Sequence, residues 1–172
     1  MKKLFAVLFL SALFVAPASA QLTNVGIGPR AGYDFDWESL FLGVDARASV
    51  PSLPVSFNVS GDYFFLEDFE GFGSDASQSL IKVSLNAIYE IGIDNQVFTP
   101  YVGAGLAISR YSLDVESDFG GIDVGGSETD LGLNILGGAM FGSGSLRPFA
   151  QLYLTLGDGS TVGIAGGVLF AL

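Results

Sequence analysis

Beyond Gln21 the apolar side chains recur at every second position, the repeat of an extended strand whose two faces meet different surroundings. The alternation runs through eight segments: Asn24–Tyr33, Leu40–Val50, Val55–Phe65, Ile81–Ile91, Phe98–Ser109, Leu131–Phe141, Arg147–Leu156 and Thr161–Leu172. In the first, Val25, Ile27, Pro29, Ala31 and Tyr33 oppose Gly26, Gly28, Arg30 and Gly32. In the second, Leu40, Leu42, Val44 and Ala46 oppose Phe41, Gly43, Asp45 and Arg47. The third sets Val59 and Tyr63 against Asn58, Ser60 and Asp62, and the fourth sets Ile81, Val83 and Leu85 against Lys82, Ser84 and Asn86. Across all eight segments the apolar face carries no charge. The opposite face mixes Gly, Ser, Thr and Asn with a few ionised groups.

Which face meets solvent decides the architecture. A water-soluble sandwich would break its outer rows with many Lys and Glu. Here the polar face is poor in charge and rich in glycine. Glycine weakens a solvated strand, but it suits a narrow lumen crowded by a few large side chains. The pattern therefore predicts an inverted protein, apolar towards lipid and polar within. Strands of ten or so residues, rising ~3.3 Å each and tilted ~40°, span roughly 25 Å, the height of an outer-membrane apolar band. Lipid offers no hydrogen-bond partner, so the strand edges must close on each other. The expectation is an all-β, eight-stranded antiparallel up-and-down barrel over residues 21–172. Tyr33, Tyr63, Phe65, Tyr89, Phe98, Phe141 and Phe170 lie towards strand ends, where interfacial aromatics belong.

The connections sort by length. Pro51–Pro54, Gly92–Gln96 and Gly142–Leu146 are tight turns. Asp34–Ser39, Leu66–Ser79 and Ser112–Asp130 are longer, and Gly157–Ser160 is short. The first class is expected on the periplasmic side and the second outside. Most of the 18 acids, from Asp34, Asp36 and Glu38 to Glu128, Asp130 and Asp158, fall in or beside the outer loops, as a solvated, self-repelling rim. Asp114-x-Glu116-x-Asp118 begins like a calcium loop but lacks the glycine and terminal glutamate spacing, so no metal site is assigned.

Composition narrows the chemistry. The 172 residues include no Cys and no His, which removes thiolate chemistry, the usual general base and the commonest metal ligand. A net charge of −11 argues against nucleic acid as a partner. Residues 1–20 read as a cleaved signal peptide: Lys2 and Lys3 precede the apolar run Leu4–Ala16, then Pro17 and the small residues Ala18-Ser19-Ala20. No later segment is apolar for long enough to form a membrane helix.

The segment Thr99-Pro100-Tyr101-Val102-Gly103-Ala104-Gly105-Leu106 and the C-terminal residues Gly167, Phe170 and Leu172 resemble the small bacterial outer-membrane β-barrel family, the OmpA-like transmembrane domain with its opacity-protein and OmpW relatives. The resemblance covers Gln21 to Leu172. It implies outer-membrane localisation and an assembly signal at Gly167, Phe170 and Leu172, read by the barrel-assembly machinery. Leu172 stands where a terminal Phe is commonest. OmpA-type proteins can carry a periplasmic peptidoglycan-binding domain as well; here the expectation is the barrel alone.

Inside such a barrel Arg30 falls near Asp45 across the first hairpin, and Asp62 near Lys82 across the second. With Arg47, Asn58, Asn86, Asn134 and Gln151 these groups are expected to fill the lumen as a charged plug, since a charge in a low-dielectric interior needs a partner. No catalytic residue, cofactor or metal is expected. The sequence points to a monomeric structural or surface-interaction barrel in contact with outer-membrane lipid and lipopolysaccharide. An alternative is a narrow channel or carrier for ions or small hydrophobic molecules, with inward Ile88, Leu136, Met140, Phe149 and Leu169 as its path. A soluble periplasmic barrel holding a lipophilic ligand is the third reading.

Overall fold

The computed structural model describes residues 22–66, 69–71, 74–93, 97–117, 124–142, 144–157 and 159–172; the signal-peptide expectation for residues 1–20 lies outside them. The described strands are β1 (Thr23–Asp34), β2 (Ser39–Ser49), β3 (Ser56–Phe65), β4 (Phe69–Gly71), β5 (Ser74–Glu90), β6 (Phe98–Ser117), β7 (Val124–Phe141), β8 (Leu146–Leu156) and β9 (Thr161–Ala171). All pair antiparallel with their neighbours in the sheet. Pairing of β1 with β9 joins the chain ends, and pairing of β3 with β5 bridges the three-residue β4, so the sheet closes on itself. The result is an eight-stranded barrel in which β4 is only a ribbon beside the outer end of β5.

Parity sets the two surfaces. Leu42, Val44, Val59, Val83, Leu106, Leu133, Ile135 and Ile164 are exposed on the outside, while Phe41, Asp45, Asn58, Asn86, Asn134 and Gln151 are buried inside. The outer surface is thus an uncharged apolar coat, and aromatics close both of its ends. Tyr33 packs edge-on to Phe35 and Tyr63 to Phe65 at the outer end, and Phe98 tilts against Phe141 at the other.

Three strands run well past the expected limits. β5 starts at Ser74 rather than Ile81, β6 continues to Ser117 rather than Ser109, and β7 begins at Val124 rather than Leu131. Much of what reads as long loop is therefore paired ladder, from Ser74↔Ser117 through Ser112↔Ser127. On β7 the residues from Gly126 to Thr129 are exposed at both parities. Alternation has no physical cause there, yet the backbone bonds continue.

Interior glycines give the bulky lumen residues room. Gly32 faces Phe41, Gly138 faces Tyr101, Gly163 faces Tyr153 and Gly167 faces Phe149 as direct cross-strand partners. A Cβ on Gly163 would overlap the phenol ring of Tyr153, and one on Gly32 would overlap Phe41. The aromatic lies flat across the neighbouring strand because nothing stands beside it.

Candidate functional site in the barrel lumen

The inward rows bring three cations, Arg30, Arg47 and Lys82, together with three carboxylates, Asp34, Asp45 and Asp62, all buried. Asp45 on β2 is the centre. It accepts from Arg30 Nη1 at 3.2 Å, from Arg47 Nε at 3.0 Å and from Asn58 Nδ2 at 2.9 Å. Gly28 is the register partner of Asp45 on β1, and a Cβ there would run into the β9 backbone at Val168. Arg47 also donates to Tyr101 Oη at 3.1 Å and to Gln151 Oε1 at 3.3 Å, and its guanidinium lies over the rings of Tyr101 and Phe149.

A second chain of bonds reaches Asp45 from across the barrel. Lys82 Nζ donates to Thr155 Oγ1 at 2.7 Å, and Thr155 Oγ1 to Asn134 Oδ1 at 3.1 Å. Asn134 Nδ2 donates to Asn86 Oδ1 at 2.9 Å, Asn86 Nδ2 to Asn58 Oδ1 at 2.8 Å, and Asn58 to Asp45. Every donor points the same way, from an ammonium to a carboxylate. The charged ends dictate that direction, because Lys82 can only donate and ionised Asp45 can only accept. Aligned bonds of this kind polarise one another, so the relay is stiffer than its separate links.

The arrangement departs from simple hairpin pairing. Asp62 and Lys82 are register partners, yet they form no direct ion pair. Asp62 Oδ1 instead lies 3.0 Å from Arg30 Nε, close as a charge pair but without hydrogen-bond alignment. The longer reach of Lys82 carries its ammonium across the ring of Tyr153 to Thr155. Asp34 is another correction. It is not a rim acid: it is fully buried, accepts from Tyr153 Oη at 2.9 Å, and receives the backbone N–H groups of Asp36 and Trp37. Tyr153, Thr155, Tyr101 and Asp34 join the network beyond the residues expected from the sequence, and each sits on the inward parity of its strand.

Apolar layers flank the charges. Phe41, Phe64 and Leu80 pack on the outer side, and Ile88, Leu136, Met140, Phe149 and Leu169 are buried with them in one contiguous cluster. Above the outer layer the β1–β2 turn folds inward. Trp37 stacks on Tyr111 of β6 at 6.1 Å, and Tyr111 Oη donates to Gln78 of β5. Because β1 and β6 lie on opposite walls, this stack crosses the mouth. Asp36 Oδ2 accepts from Val162 N at 2.6 Å and ties the turn to β9.

The terminal residues have local roles too. Gly167 gives room to Phe149, Phe170 is exposed on the outer face, and Leu172 N donates to Val25 O at 2.9 Å. Among the described residues no group of His, Cys, Asp or Glu could hold a metal ion. No helix among them is long and apolar enough to cross a membrane.

Solved structures share this architecture. The N-terminal β-barrel domain of Pseudomonas aeruginosa OprF is 21% identical, with 88% of this chain and 100% of that one covered at a TM-score of 0.60. Neisserial surface protein A is 17% identical, with 88% and 99% covered and a TM-score of 0.67. Ail, the attachment invasion locus protein of Yersinia pestis, is 14% identical, with 86% and 93% covered and a TM-score of 0.52. At these identities the likeness establishes the fold. No curated protein sequence matches the chain. The family model for the outer membrane protein beta-barrel domain matches residues 5–145, most of the chain. With its closed sheet and uncharged apolar coat, the chain belongs to that outer-membrane β-barrel family.

Proposed function

We propose that the protein is a plugged outer-membrane barrel whose work is structural and at the cell surface, with an acidic rim presented outside and no solute path through the lumen. The observation that carries this reading is the buried, charge-balanced relay from Lys82 to Asp45, capped at the mouth by the Trp37–Tyr111 stack. An eight-stranded interior is just wide enough for side chains to fill, and here they bond to one another across it. Outer-membrane lipid and lipopolysaccharide surround the coat, and the barrel-assembly machinery reads Gly167, Phe170 and Leu172. A closed sheet has no free edge, so a monomer suffices. Residues 1–20 are removed on export. Catalysis has no place in this reading.

Ail has been crystallised in complex with the heparin analogue sucrose octasulfate. With a net charge of −11, this chain suits a cationic or cation-bridged partner instead of a polyanion. The conduit reading draws on the inward apolar residues Ile88, Leu136, Met140, Phe149 and Leu169, but these pack on one another in the core cluster. Planar-bilayer recording separates the two. The plug predicts no stable large conductance steps, and their appearance would overturn it. Liposome swelling should rise above background only when Arg30→Ala opens the centre of the network.

A further inference from the structure

At the centre of the lumen lies a cavity of about 10 Å³, lined by Arg30, Ser60, Asp62, Lys82, Ser84 and Asn86 among other polar side chains. We infer that it is a built site for a single water molecule, which joins Asp62 to Lys82 and closes the lumen relay into a ring. This inference deepens the plug reading and rests on it.

Size and chemistry both point to water. The volume sits at the lower limit for holding one water molecule and leaves no room for a solute. Two lining atoms, Arg30 Nε and Asp62 Oδ1, are buried without a hydrogen-bond partner, on residues 5% and 4% exposed. They face each other at 3.0 Å as a charge pair, yet neither has an aligned hydrogen bond, and a buried polar atom left without one is costly. Lys82 has three N–H donors, and Thr155 accepts one of them. Ser60 and Ser84 are register partners on β3 and β5, the inward pair adjacent to Asp62 and Lys82, and their hydroxyls donate or accept as required. A water here donates to Asp62 Oδ1 and accepts from Lys82 or Arg30.

The relay gives the site its role. It runs from Lys82 through Thr155, Asn134, Asn86 and Asn58 to Asp45, then through Arg30 to Asp62, where direct contact stops. Lys82 and Asp62 are its two ends, and both line the cavity. One bridging water connects them. It also explains how two opposite charges can be register partners without touching.

A crystal structure of the folded protein in detergent, at a resolution that shows ordered water, tests this. The expected result is one isolated peak within hydrogen-bond distance of Asp62 Oδ1 and of Lys82 Nζ or Arg30 Nε. Ser84→Val should remove the peak by filling the space, whereas Ser84→Ala should keep it. If the valine variant does not fold, the wild type and the alanine variant still decide. An empty cavity, a direct Asp62–Lys82 contact, a salt ion in the site or a peak that persists in Ser84→Val overturns the water site while leaving the plug intact. A continuous file of waters from the mouth to the periplasmic end would overturn the site and the plug together.

Discussion

Asp45 is the residue whose loss the lumen should tolerate least. It is fully buried and receives both Arg30 and Arg47, in addition to Asn58. Replacing it with alanine leaves Arg30 its contact with Asp62 but strips Arg47 of the carboxylate it pairs with. Breaking a buried pair by removing one partner costs about 3–5 kcal/mol, so Asp45→Ala should raise the unfolding equilibrium constant by two orders of magnitude or more. Arg47→Met keeps an apolar stem against Tyr101 and Phe149 and, in the double variant, restores the balance of buried charge. If the cost comes from an orphaned charge, the double variant should be more stable than Asp45→Ala alone, with a coupling of about 2 kcal/mol or more in the double-mutant cycle. The single tryptophan, Trp37, gives the optical signal for urea unfolding from lipid vesicles. An Asp45→Ala cost under about 1 kcal/mol, or additive losses in the double variant, would show that the network does not hold the lumen together.

Further substitutions probe the other surfaces. Gly163→Val drives a side chain into Tyr153 and should cost about 1–3 kcal/mol or prevent folding, whereas Gly61→Ala points into open space on the coat and should leave the urea midpoint unchanged or slightly raised. Ile135→Arg places a cation among the exposed apolar residues of the band and should destabilise the barrel by about 2–4 kcal/mol in vesicles. Lys82→Met removes the donor at the head of the relay, and vesicle unfolding should show a loss that Thr155→Val does not enlarge. Trp37→Ala should leave the folded fraction on an unheated gel intact while increasing proteolytic access to the β1–β2 turn, because its stacking partner Tyr111 holds the turn over the mouth.

The parts of this fold that were legible in the sequence are those where a strand separates two unlike media. Between the aromatic girdles each residue faces either lipid or lumen, so Val83 and Lys82 differ in kind and parity can be read directly. Above the girdles β7 is exposed at both parities from Gly126 to Thr129, and the ladder through Gln78↔Leu113 and Ser112↔Ser127 left no trace in hydropathy. Membership of the lumen was equally readable, since Arg30, Asp45, Arg47, Asp62 and Lys82 share the inward parity. Partnership was not. Hairpin register brings Asp62 opposite Lys82, but side-chain length and the path over Tyr153 decide where the ammonium ends. Asp34 went astray for a related reason. It sits in an acidic stretch at a strand end, although counting on from Arg30 and Gly32 places it inside, where Tyr153 meets it.

The polar lumen also answers a problem that a barrel protein meets before it folds. If the lumen rows, the ionised Arg30, Asp34, Asp45, Arg47, Asp62 and Lys82 included, were apolar, the strands would fold around an easily packed core and the cost of buried charge would vanish. Each strand would then read as an unbroken apolar run of ten or more residues, in the range of re-entrant and interfacial segments though short of the ~20 with which a helix spans a membrane. Alternation prevents this, since every second residue lowers the hydropathy of the extended chain and blocks a lipid-facing helix. The energetic burden is a set of buried ions, and the structure offsets it by local neutrality: three cations against three carboxylates, with amides relaying between them. On this argument the network is tied to passage through an earlier membrane as much as to stability in the final one. Making the lumen rows of β3 and β5 apolar together should therefore leave a barrel that still folds from urea into vesicles. The same variant, expressed in cells, should be retained at the inner membrane. Normal arrival of that variant in the outer-membrane fraction would refute the link between lumen polarity and export.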